Sequence, residues 1–399
     1  MAKRILIYTN HFYPEQFKIN EIVKWLSQTE SEIRVITGLP NYPSGKIYKN
    51  YSSKVELKNN VTVNRLLLIP RGSGSSLMMI LNYLSYFISG LIFTFYIAFF
   101  KKKYDYIFVH HTSPILVAVH PKIYSIFHKT KCYLWDLDIW PETLVAMNII
   151  NSNLLSSIIE KFVMWIYSSY DTILIGSKSF EPIIKKRFKN RISYFPNWAD
   201  DQIENKMSLS KNHLNFFTKD KTVIMYTGNI GFAQGFSELI PIIRELESLA
   251  YWIFIGDGRY KKTFSSLINE KELDNCVEFI DPINVSEIPS YISNADCLFL
   301  SLKSGDIFSK TVPAKLQTYM ALSKPVIGVI SGEGAEIIKQ SKCGFVEEKN
   351  NFKNLVELIK KVNTLSKKEL ETLGQNGNKY YNKHFSSNIR KKQILNLFK

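Results

Sequence analysis

The 399-residue sequence lacks the motifs that mark several large enzyme classes. The first strand-like run is followed by Asn10-His11-Phe12-Tyr13-Pro14 rather than by G-x-G-x-x-G, which argues against a dinucleotide-dependent oxidoreductase. No G-x-x-x-x-G-K-[ST] occurs, which excludes a P-loop NTPase at the level of motif. The G-x-S-x-G elbow of a serine hydrolase is also missing.

Cysteine is scarce, and its spacing indicates neither disulfides nor zinc. The four cysteines are far apart, with no CxxC pair and no Cys/His cluster at zinc spacing. Cys132 and Cys297 lie in apolar strand-like runs, where free thiols behave as small hydrophobic side chains. This usage favours a reducing, cytosolic compartment. Because the opening MAKRILIYTN leads straight into a strand without an apolar leader, we do not expect secretion.

Charge is biased strongly toward lysine and arginine. The 51 basic residues outnumber the 35 acidic ones, which gives a formal net charge of +16 at pH 7. Such a bias favours an anionic partner, whether nucleic acid, an acidic membrane surface or a phosphorylated substrate. The 45% hydrophobic and 14% aromatic fractions are sufficient for two packed cores, and the length suits two domains.

One long stretch, Leu77–Phe100, has no charged residue and is followed by Lys101–Lys103. Its length and apolarity satisfy the rule for a transmembrane helix. However, Val61–Ile69 before it and Tyr106–His111 after it both read as strands of one sheet, and a single span would separate them. We therefore predict a helix over 77–100 that lies on the membrane surface or packs against the sheet, with basic flanks facing anionic lipid. The alternative is a buried core helix with a solvated lysine run.

Strand and helix signals alternate along the chain and predict an α/β fold with two doubly wound parallel sheets. The first half contributes strand-like runs at Arg4–Thr9, Ile33–Thr37, Val61–Ile69, Tyr106–His111, Lys131–Leu137, Thr172–Gly176 and Ile192–Pro196. The polar segment 198–220 reads as a linker between domains 1–197 and 221–383. The second half contributes Val223–Thr227, Tyr251–Ile255, Val277–Ile280, Cys297–Leu302 and Pro325–Ile330. Residues 384–399 are predicted to form a helix that packs back on the first domain, and ligands are expected in a cleft at the carboxyl ends of the strands.

Three segments of the second half could bind a phosphate. A glycine-rich turn, Gly228–Gly235, follows a strand, and Gly256-Asp257-Gly258 with Arg259 repeats that geometry. In Lys310–Pro325, Pro313 suits the first position of a helix, Thr311 or Ser309 can cap it, and Lys310 and Lys315 add two cations. Each segment alone also fits a simple turn or a capped surface helix.

In the first half, polar residues follow two predicted strands. His110 and His111 lie where one strand ends, and could bind or orient a sugar hydroxyl. Asp136 and Asp138, two residues apart, could hold a divalent metal or contact a substrate hydroxyl.

These segments together resemble family 4 retaining glycosyltransferases of GT-B architecture, in which two Rossmann-like domains face a cleft. The branch they most resemble is that of the L-fucosamine and other aminosugar transferases of O-antigen, capsule and colanic-acid synthesis. The resemblance extends over nearly the whole chain. It is carried by six segments in the family's order, which are Tyr13–Asn20, Thr37–Lys46, Asp138–Glu142, Phe195–Trp198, Gly228–Gly235 and Pro313–Pro325.

The sequence departs from this family in its donor loop. Where many members carry Arg and Lys in the glycine turn, this chain has Asn229 and Gln234, and the usual Glu-x7-Glu pair falls on Lys310 and Thr318. Either the cations have been redistributed, with Lys310, Lys315 and Arg259 supplying the charge from other loops, or the donor site is degenerate. A VP-x-K-x-Q pattern shared with the aminosugar branch favours redistribution.

The resemblance implies metal-independent transfer with retention, from a UDP-sugar to a polyprenyl-diphosphate-linked saccharide, by an enzyme that needs no cofactor. It further implies a cytoplasmic protein at the inner face of an anionic membrane, with no nucleic-acid partner. We expect the donor to be bound by Gly228, Asn229, Gly231, Gln234, Gly256, Arg259, Asp281, Thr311, Val312, Pro313, Ala314, Lys315 and Thr318. Catalytic roles are expected for His111, Asp138 and Lys310, and acceptor contacts for Glu15, Lys18, Asn20, Asn41 and His110. The alternatives are a sugar-nucleotide 2-epimerase of the same fold and a non-catalytic scaffold of a polysaccharide assembly complex.

Overall fold

A computed structural model describes residues 2–51, 55–58, 60–72, 74–204, 221–348 and 352–399. The chain divides into two compact units. Unit 1 comprises Met1–Pro196 and Lys391–Lys399, and unit 2 comprises Asn197–Arg390. Of the predicted linker, residues 205–220 lie outside the described residues, while 198–204 belong to unit 2.

Unit 1 is built on a sheet whose described strands follow the order β3-β4-β2-β1-β5-β6-β7-β8. Their bounds are β1 Arg4–Thr9, β2 Glu32–Gly38, β3 Val55–Lys58, β4 Val61–Leu66, β5 Tyr106–His111, β6 Lys131–Asp136, β7 Thr172–Ile175 and β8 Arg191–Tyr194. All neighbours pair in parallel except β3, which is antiparallel to β4. The strands next to the centre are continuous apolar runs because helices cover both faces of a parallel sheet.

The helices of unit 1 connect these strands. They are α1 Ile19–Ser27, α2 Ser76–Phe100, α3 Val119–Phe127, α4 Glu142–Ala146, α5 Asn153–Tyr167 and α6 Glu181–Lys185. The C-terminal residues of the chain also pack in this unit. The ring of Phe398 lies against the rings of Tyr106 and Tyr133, and Lys3 donates to the Phe398 carbonyl at 2.6 Å.

Unit 2 holds a second sheet, parallel throughout its described strands, in the order β11-β10-β9-β12-β13-β14. Its strands are β9 Thr222–Thr227, β10 Ala250–Ile255, β11 Val277–Ile280, β12 Cys297–Ser301, β13 Val326–Val329 and β14 Gly344–Glu347. The helices are α7 Asp201–Glu204, α8 Ile240–Glu245, α9 Lys261–Glu270, α10 Ile288–Ile292, α11 Asp306–Lys310, α12 Ala314–Ala321, α13 Glu333–Ser341, α14 Phe352–Thr364 and α15 Lys367–His384. The last helix, α16 Ser387–Leu397, begins in unit 2 and ends in unit 1.

The strands predicted from sequence are present within one or two residues at most ends, although β4 is shorter than predicted. Two strands were missed. β3 and β14 are four residues long and lie at the edges of their sheets, where half-polar strands carry a weak periodic signal. The four cysteines are buried free thiols.

Helix α2 has its polar face turned inward. Asn82 donates to the carbonyl of Ile69 at 2.6 Å, the Tyr86 hydroxyl donates to that of Thr9 at 2.9 Å, and Thr94 is hydrogen-bonded to Tyr8. Large apolar side chains occupy the outer face, and Leu77 and Ile92 are 66% and 67% exposed. Among the described residues, α2 is the one helix long and apolar enough to cross a membrane, with 28% of its most apolar window buried. However, β4 and β5 are parallel strands of one sheet, so α2 runs back along that sheet from the carboxyl end of β4 to the amino end of β5.

Candidate functional site

The strand order of unit 2 reverses between β9 and β12, since β10 and β11 continue to one side of β9 and β13 and β14 to the other. In open α/β sheets, ligands bind outside the carboxyl ends of the strands at such a switch point. The turn after β9 begins at Gly228, which has a φ of 111°. A Cβ on Gly256, after β10, would lie 2.1 Å from the Gly228 carbonyl oxygen. Glycine is therefore required here so that the two turns can pack backbone against backbone.

The remainder of this turn is braced by its own side chains. Gln234 is buried, and its Oε1 accepts from the Gly231 N–H at 2.9 Å. The Tyr226 hydroxyl donates to the Asn229 carbonyl at 2.6 Å. The Ile230 N–H donates to the Asp257 carbonyl at 2.8 Å, which links the turn to the one after β10. Both neutral residues that replace the expected cations, Asn229 and Gln234, are thus parts of a rigid turn.

Lys315 supplies a cation over this turn. It lies in the first turn of α12, and its ammonium nitrogen is 5.0 Å from the centre of the Tyr226 ring. A Cβ on Gly228 would lie 2.9 Å from Lys315 Cε, so the side chain crosses directly over the glycine. Burial lowers the pKa of Lys315 to about 8. Among the described residues no carboxylate forms an ion pair with it, which leaves its charge free for an anionic ligand.

The segment before α12 differs from its prediction. Ser309 and Thr311 do not cap α12, because their hydroxyls donate back to the carbonyls of Asp306 and Ile307 in the preceding helix, α11. The N-cap position is Pro313 itself, without a side-chain cap. Lys310 ends α11 and forms an ion pair with Asp306, one turn earlier. The two lysines expected to act together therefore lie on different helices, one paired and one not.

Other predicted donor residues lie farther from the switch point or have local partners. Asp281 follows the edge strand β11, is almost fully exposed, and pairs with Lys261 at 2.6 Å. That ion pair lowers the pKa of Asp281. Arg259 is exposed, Val312 is buried, and Ala314 begins α12. The Thr318 hydroxyl faces the carbonyl of Ala314 at 3.5 Å. Their roles in donor binding stay predictions.

In unit 1 the sheet order reverses between β1 and β5, and the predicted His110 and His111 are the last two residues of β5. His110 is buried, with its Nδ1 3.0 Å from the Thr9 hydroxyl and its ring against that of Trp135. Burial lowers the pKa of His110 to about 3, so it is neutral. The neutral imidazole of His110 can donate one hydrogen bond and accept another, but it contributes no positive charge to the site.

His111 belongs to a fully buried group of three polar side chains. Its Nδ1 is 2.7 Å from Asp136 Oδ1, and Tyr167 donates to the other carboxylate oxygen. Burial raises the pKa of Tyr167 well above its usual value, so that the phenol stays protonated as a donor. Asp136 fixes the imidazole tautomer with the proton on Nδ1, and Nε2 has no hydrogen-bond partner in the part of the chain that the structure describes.

The carboxylate of Glu15 links the loop after β1 to the loop after β2. One oxygen accepts from the backbone N–H groups of Asn41 and Tyr42, at 2.7 Å each. The other lies 2.6 Å from His11 Nδ1, and burial lowers the pKa of His11. Asn20 donates to the Glu15 carbonyl at 2.7 Å. The structure thus shows a loop-bracing role for Glu15, and its proposed contact with the acceptor stays a prediction.

The remaining candidates of unit 1 also have partners. Asn41 is buried and bonds the carbonyl of Leu39, while Lys18 pairs with Glu21 at 2.6 Å. Asp138 Oδ2 lies 3.4 Å from Trp140 Nε1. Among the described residues, no three His, Cys, Asp or Glu side chains lie together as metal ligands would.

Sequence reasoning missed the tyrosines that organise both switch points. Tyr319 is fully buried, and its hydroxyl accepts from the Thr227 N–H at 3.0 Å, at the end of β9. Tyr226 faces Lys315, and Tyr167 holds Asp136. Each lies in an apolar strand or helix pattern, where an aromatic residue reads as core, so no sequence signal distinguished them.

Comparison with known proteins identifies the fold. Residues 210–380 match the family described as glycosyl transferases group 1. A sucrose-phosphate synthase of Thermosynechococcus elongatus superposes with a TM-score of 0.72 at 14% identity, covering 100% of this chain and 98% of that one. Anabaena HepE, solved in complex with UDP, gives a TM-score of 0.68 at 14% identity and 99% coverage of both chains. The chain has the GT-B fold.

The residues that match this family, 210–380, lie within unit 2. WaaG, a glycosyltransferase involved in lipopolysaccharide biosynthesis, superposes with a TM-score of 0.67 at 12% identity, covering 98% of both chains. In sequence, the chain is 23% identical over 346 residues to Escherichia coli K12 WcaI, named as a colanic acid biosynthesis glycosyl transferase. That alignment covers 80% of this chain and 81% of WcaI.

Proposed function

We propose that this GT-B protein is a glycosyltransferase of surface polysaccharide synthesis. It would transfer an N-acetylated hexosamine, with retention, from a UDP-sugar to a polyprenyl-diphosphate-linked saccharide. The observation that carries the proposal is the ammonium of Lys315, which lies over the Gly228 turn at the switch point of the sheet and forms no ion pair among the described residues. This site lies within the residues that match group 1 glycosyl transferases. The UDP in the HepE structure supports a uridine nucleotide as the ligand of this site.

The chemistry needs charge stabilisation more than a protein nucleophile. The bond between the anomeric carbon and the diphosphate breaks, and the acceptor oxygen bonds the same face while its proton passes to the leaving diphosphate. Lys315 stabilises the charge that develops on this leaving group, and the glycine turns allow backbone N–H groups to approach it. This arrangement accounts for a donor site in which Lys310 and Thr318 stand where carboxylates are usual. His111 and Asp138 remain the candidates for contacts with the sugars.

The outer surface of unit 1 supports a place at the inner face of the membrane. Besides α2, helix α5 exposes Leu154, Ile158 and Trp165, and α3 exposes Ile126. α3 joins the other two helices, since Phe127 contacts Phe99 and Lys122 lies over Trp165. Large apolar side chains together with lysines at their margin suit an anionic lipid surface.

Release of UDP tests the transferase proposal. Purified protein is incubated with UDP-sugars, with and without a polyprenyl-diphosphate-linked saccharide, and UDP is measured. We expect release that depends on the acceptor. Turnover of the free UDP-sugar to its 2-epimer would favour the epimerase instead. If the folded protein binds UDP but produces no UDP from any pair of UDP-sugar and acceptor, the result would favour the non-catalytic scaffold.

Sedimentation with phosphatidylglycerol vesicles tests the membrane surface. The double variant Ile88→Glu, Ile92→Glu should lose most vesicle binding, because two charges would enter the apolar face of α2. Phe232→Glu, at an exposed apolar residue of unit 2, is the matched control and should bind as the parent does. Equal loss in both variants would contradict a specific role for α2.

A further inference from the structure

Arg71 is a cation of unit 1 with exposed apolar residues before and after it in the chain. It lies in the loop between β4 and α2, five residues before the helix begins. Leu67 and Ile69 precede it and Leu77 and Ile80 follow it, and all four side chains are exposed. Arginine in such surroundings is costly unless its charge has a partner.

Two tyrosines hold the guanidinium of Arg71. Its central carbon lies 5.3 Å from the centre of the Tyr42 ring and 5.4 Å from that of Tyr83, which is on α2. The Tyr42 backbone is fixed by its hydrogen bond to Glu15, and the Arg71 N–H is fixed by Asn41 Oδ1 at 3.2 Å. The group is therefore preorganised before any ligand arrives.

The hydrogen-bond link from Arg71 to the carboxylate of Glu15 runs through His11. Arginine can only donate, so His11 Nε2, 3.0 Å from Arg71 Nη2, is the acceptor, and His11 Nδ1 carries the proton that goes to Glu15. The oxygens of Glu15 are occupied by His11 and two backbone N–H groups. Among the described residues Arg71 forms no ion pair, and its buried Nε has no partner.

From this geometry we infer that Arg71, clamped by Tyr42 and Tyr83, binds the diphosphate of a prenyl-diphosphate lipid. A planar guanidinium with free N–H groups matches phosphate oxygens, and the exposed apolar side chains on either side suit the prenyl chain. The inference rests on the proposed function, since it assigns the site of the acceptor's lipid carrier. It names residues outside both the donor site and the predicted acceptor contacts.

The test is binding of farnesyl diphosphate to the full-length protein, compared among the parent, Arg71→Gln and Tyr83→Ala. Loss of a charge-assisted bidentate contact should weaken binding about 10- to 100-fold in Arg71→Gln. Tyr83→Ala, which leaves the His11–Glu15 contacts in place, should weaken it by a smaller factor. Lys46→Gln, at an exposed lysine in the loop after β2, is the matched control and should leave binding unchanged.

Two further measurements distinguish a prenyl diphosphate from a phospholipid headgroup as the ligand, and a failure of this inference from a failure of the transferase proposal. Phosphatidylglycerol vesicles should bind Arg71→Gln nearly as well as the parent, and a loss there equal to the loss for farnesyl diphosphate would overturn a diphosphate-specific site. UDP binding should be the same in all variants, which also shows that they are folded. If the parent releases UDP but Arg71→Gln binds farnesyl diphosphate as the parent does, this inference fails and the transferase proposal stands. If farnesyl diphosphate binding depends on Arg71 but no substrate pair releases UDP, the transferase proposal fails and the anion site stands.

Discussion

The two units use the carboxyl ends of their strands in opposite ways. In unit 1, polar side chains at or just after the carboxyl ends of β1, β5 and β6 bond to one another, as His11 does with Glu15 and His111 with Asp136. In unit 2, the loops after β9 and β10 are formed largely by glycine and backbone contacts, and one lysine reaches over them without a carboxylate partner. The two sheets are similar, but their carboxyl ends differ. Unit 1 presents polar side chains that are already hydrogen-bonded to one another, and unit 2 presents a lysine that forms no ion pair with the described residues.

This difference teaches where ligand binding energy can arise. A side chain that already has its hydrogen bonds gains little from a ligand and mainly positions its loop, whereas an unpaired cation gains a new charge-assisted contact. In unit 1, Arg71 is such a group, whereas polar residues near the strand ends, such as Glu15, serve largely to hold loops. Buried histidines also distinguish the units, because His384 is the one described histidine of unit 2.

The largest expected effect is the loss of unit 1 stability in mild acid. Burial lowers the pKa of His110 to about 3 and that of His120 to about 4, and it also lowers that of His11. Between pH 6.5 and these values the unfolded chain binds protons that the native unit does not, so stability falls as the pH falls. From pH 6.5 to 5, His110 and His120 together should cost about 3 kcal/mol, and His11 should add to this loss.

Hydrogen exchange followed by mass spectrometry at pH 7 and 5, corrected for intrinsic rates, checks this expectation. Peptides from β1, β5 and α3 should lose protection while those from β9 and β12 keep it. Simultaneous loss in both units would contradict the assignment of acid sensitivity to the histidines of unit 1.

The next largest effect is expected for Glu15→Gln. The amide would place an NH₂ group against a backbone N–H or the His11 N–H, so the unfolding free energy of unit 1 should fall by about 3 kcal/mol. Urea unfolding gives the measurement. Glu30→Gln, at an exposed residue near the end of α1, should change it by less than about 0.5 kcal/mol. Equal stability of the two variants would mean that Glu15 is not the brace of these loops.

In unit 2, Lys315→Ala should weaken UDP binding about 10- to 100-fold at low salt, with a smaller loss at high salt. Lys310→Ala removes a lysine already paired with Asp306, and its effect should be below about threefold. Calorimetric titration with UDP compares the two. The same affinity in parent and Lys315→Ala would remove Lys315 from the donor site.

The pKa of Lys315 near 8 gives a related prediction for the parent protein. The lysine loses its charge as the pH rises through 8, so UDP affinity should decline between pH 8 and 9.5. Lys315→Met, which has no titrating group, should not show this decline. A parallel decline in both proteins would assign the pH dependence to another group.

The smallest effect is expected for Asp281→Asn. Asp281 lies on the surface after an edge strand and forms an exposed pair with Lys261, and such pairs contribute little. UDP affinity should therefore stay within about twofold of the parent value. If the variant lost UDP affinity tenfold or more, Asp281 would be part of the donor site, as the sequence predicted.

Much of the fold could be predicted because its signals are local. The apolar runs gave β5 and β11 to the residue, and the glycine turns marked the ends of β9 and β10. The candidate site was harder to predict from the sequence. A cation for the donor site was predicted at both Lys310 and Lys315. Which of the two lysines forms an ion pair with a neighbour depends on where α11 ends and α12 begins. The helix break at Thr311–Pro313 gave no clear periodic signal.

The sequence by itself determined the two parallel sheets, the glycine turns and the uncharged helix, since each follows from periodicity or composition within a short stretch. The tertiary structure decided which polar groups are already occupied. Glu15 meets backbone N–H groups 26 and 27 residues away, and Asp136 meets Tyr167 and His111 from separate elements. Tertiary packing brings these partners together from distant parts of the chain. The local sequence of either segment therefore contains no pattern that predicts the hydrogen bond between them.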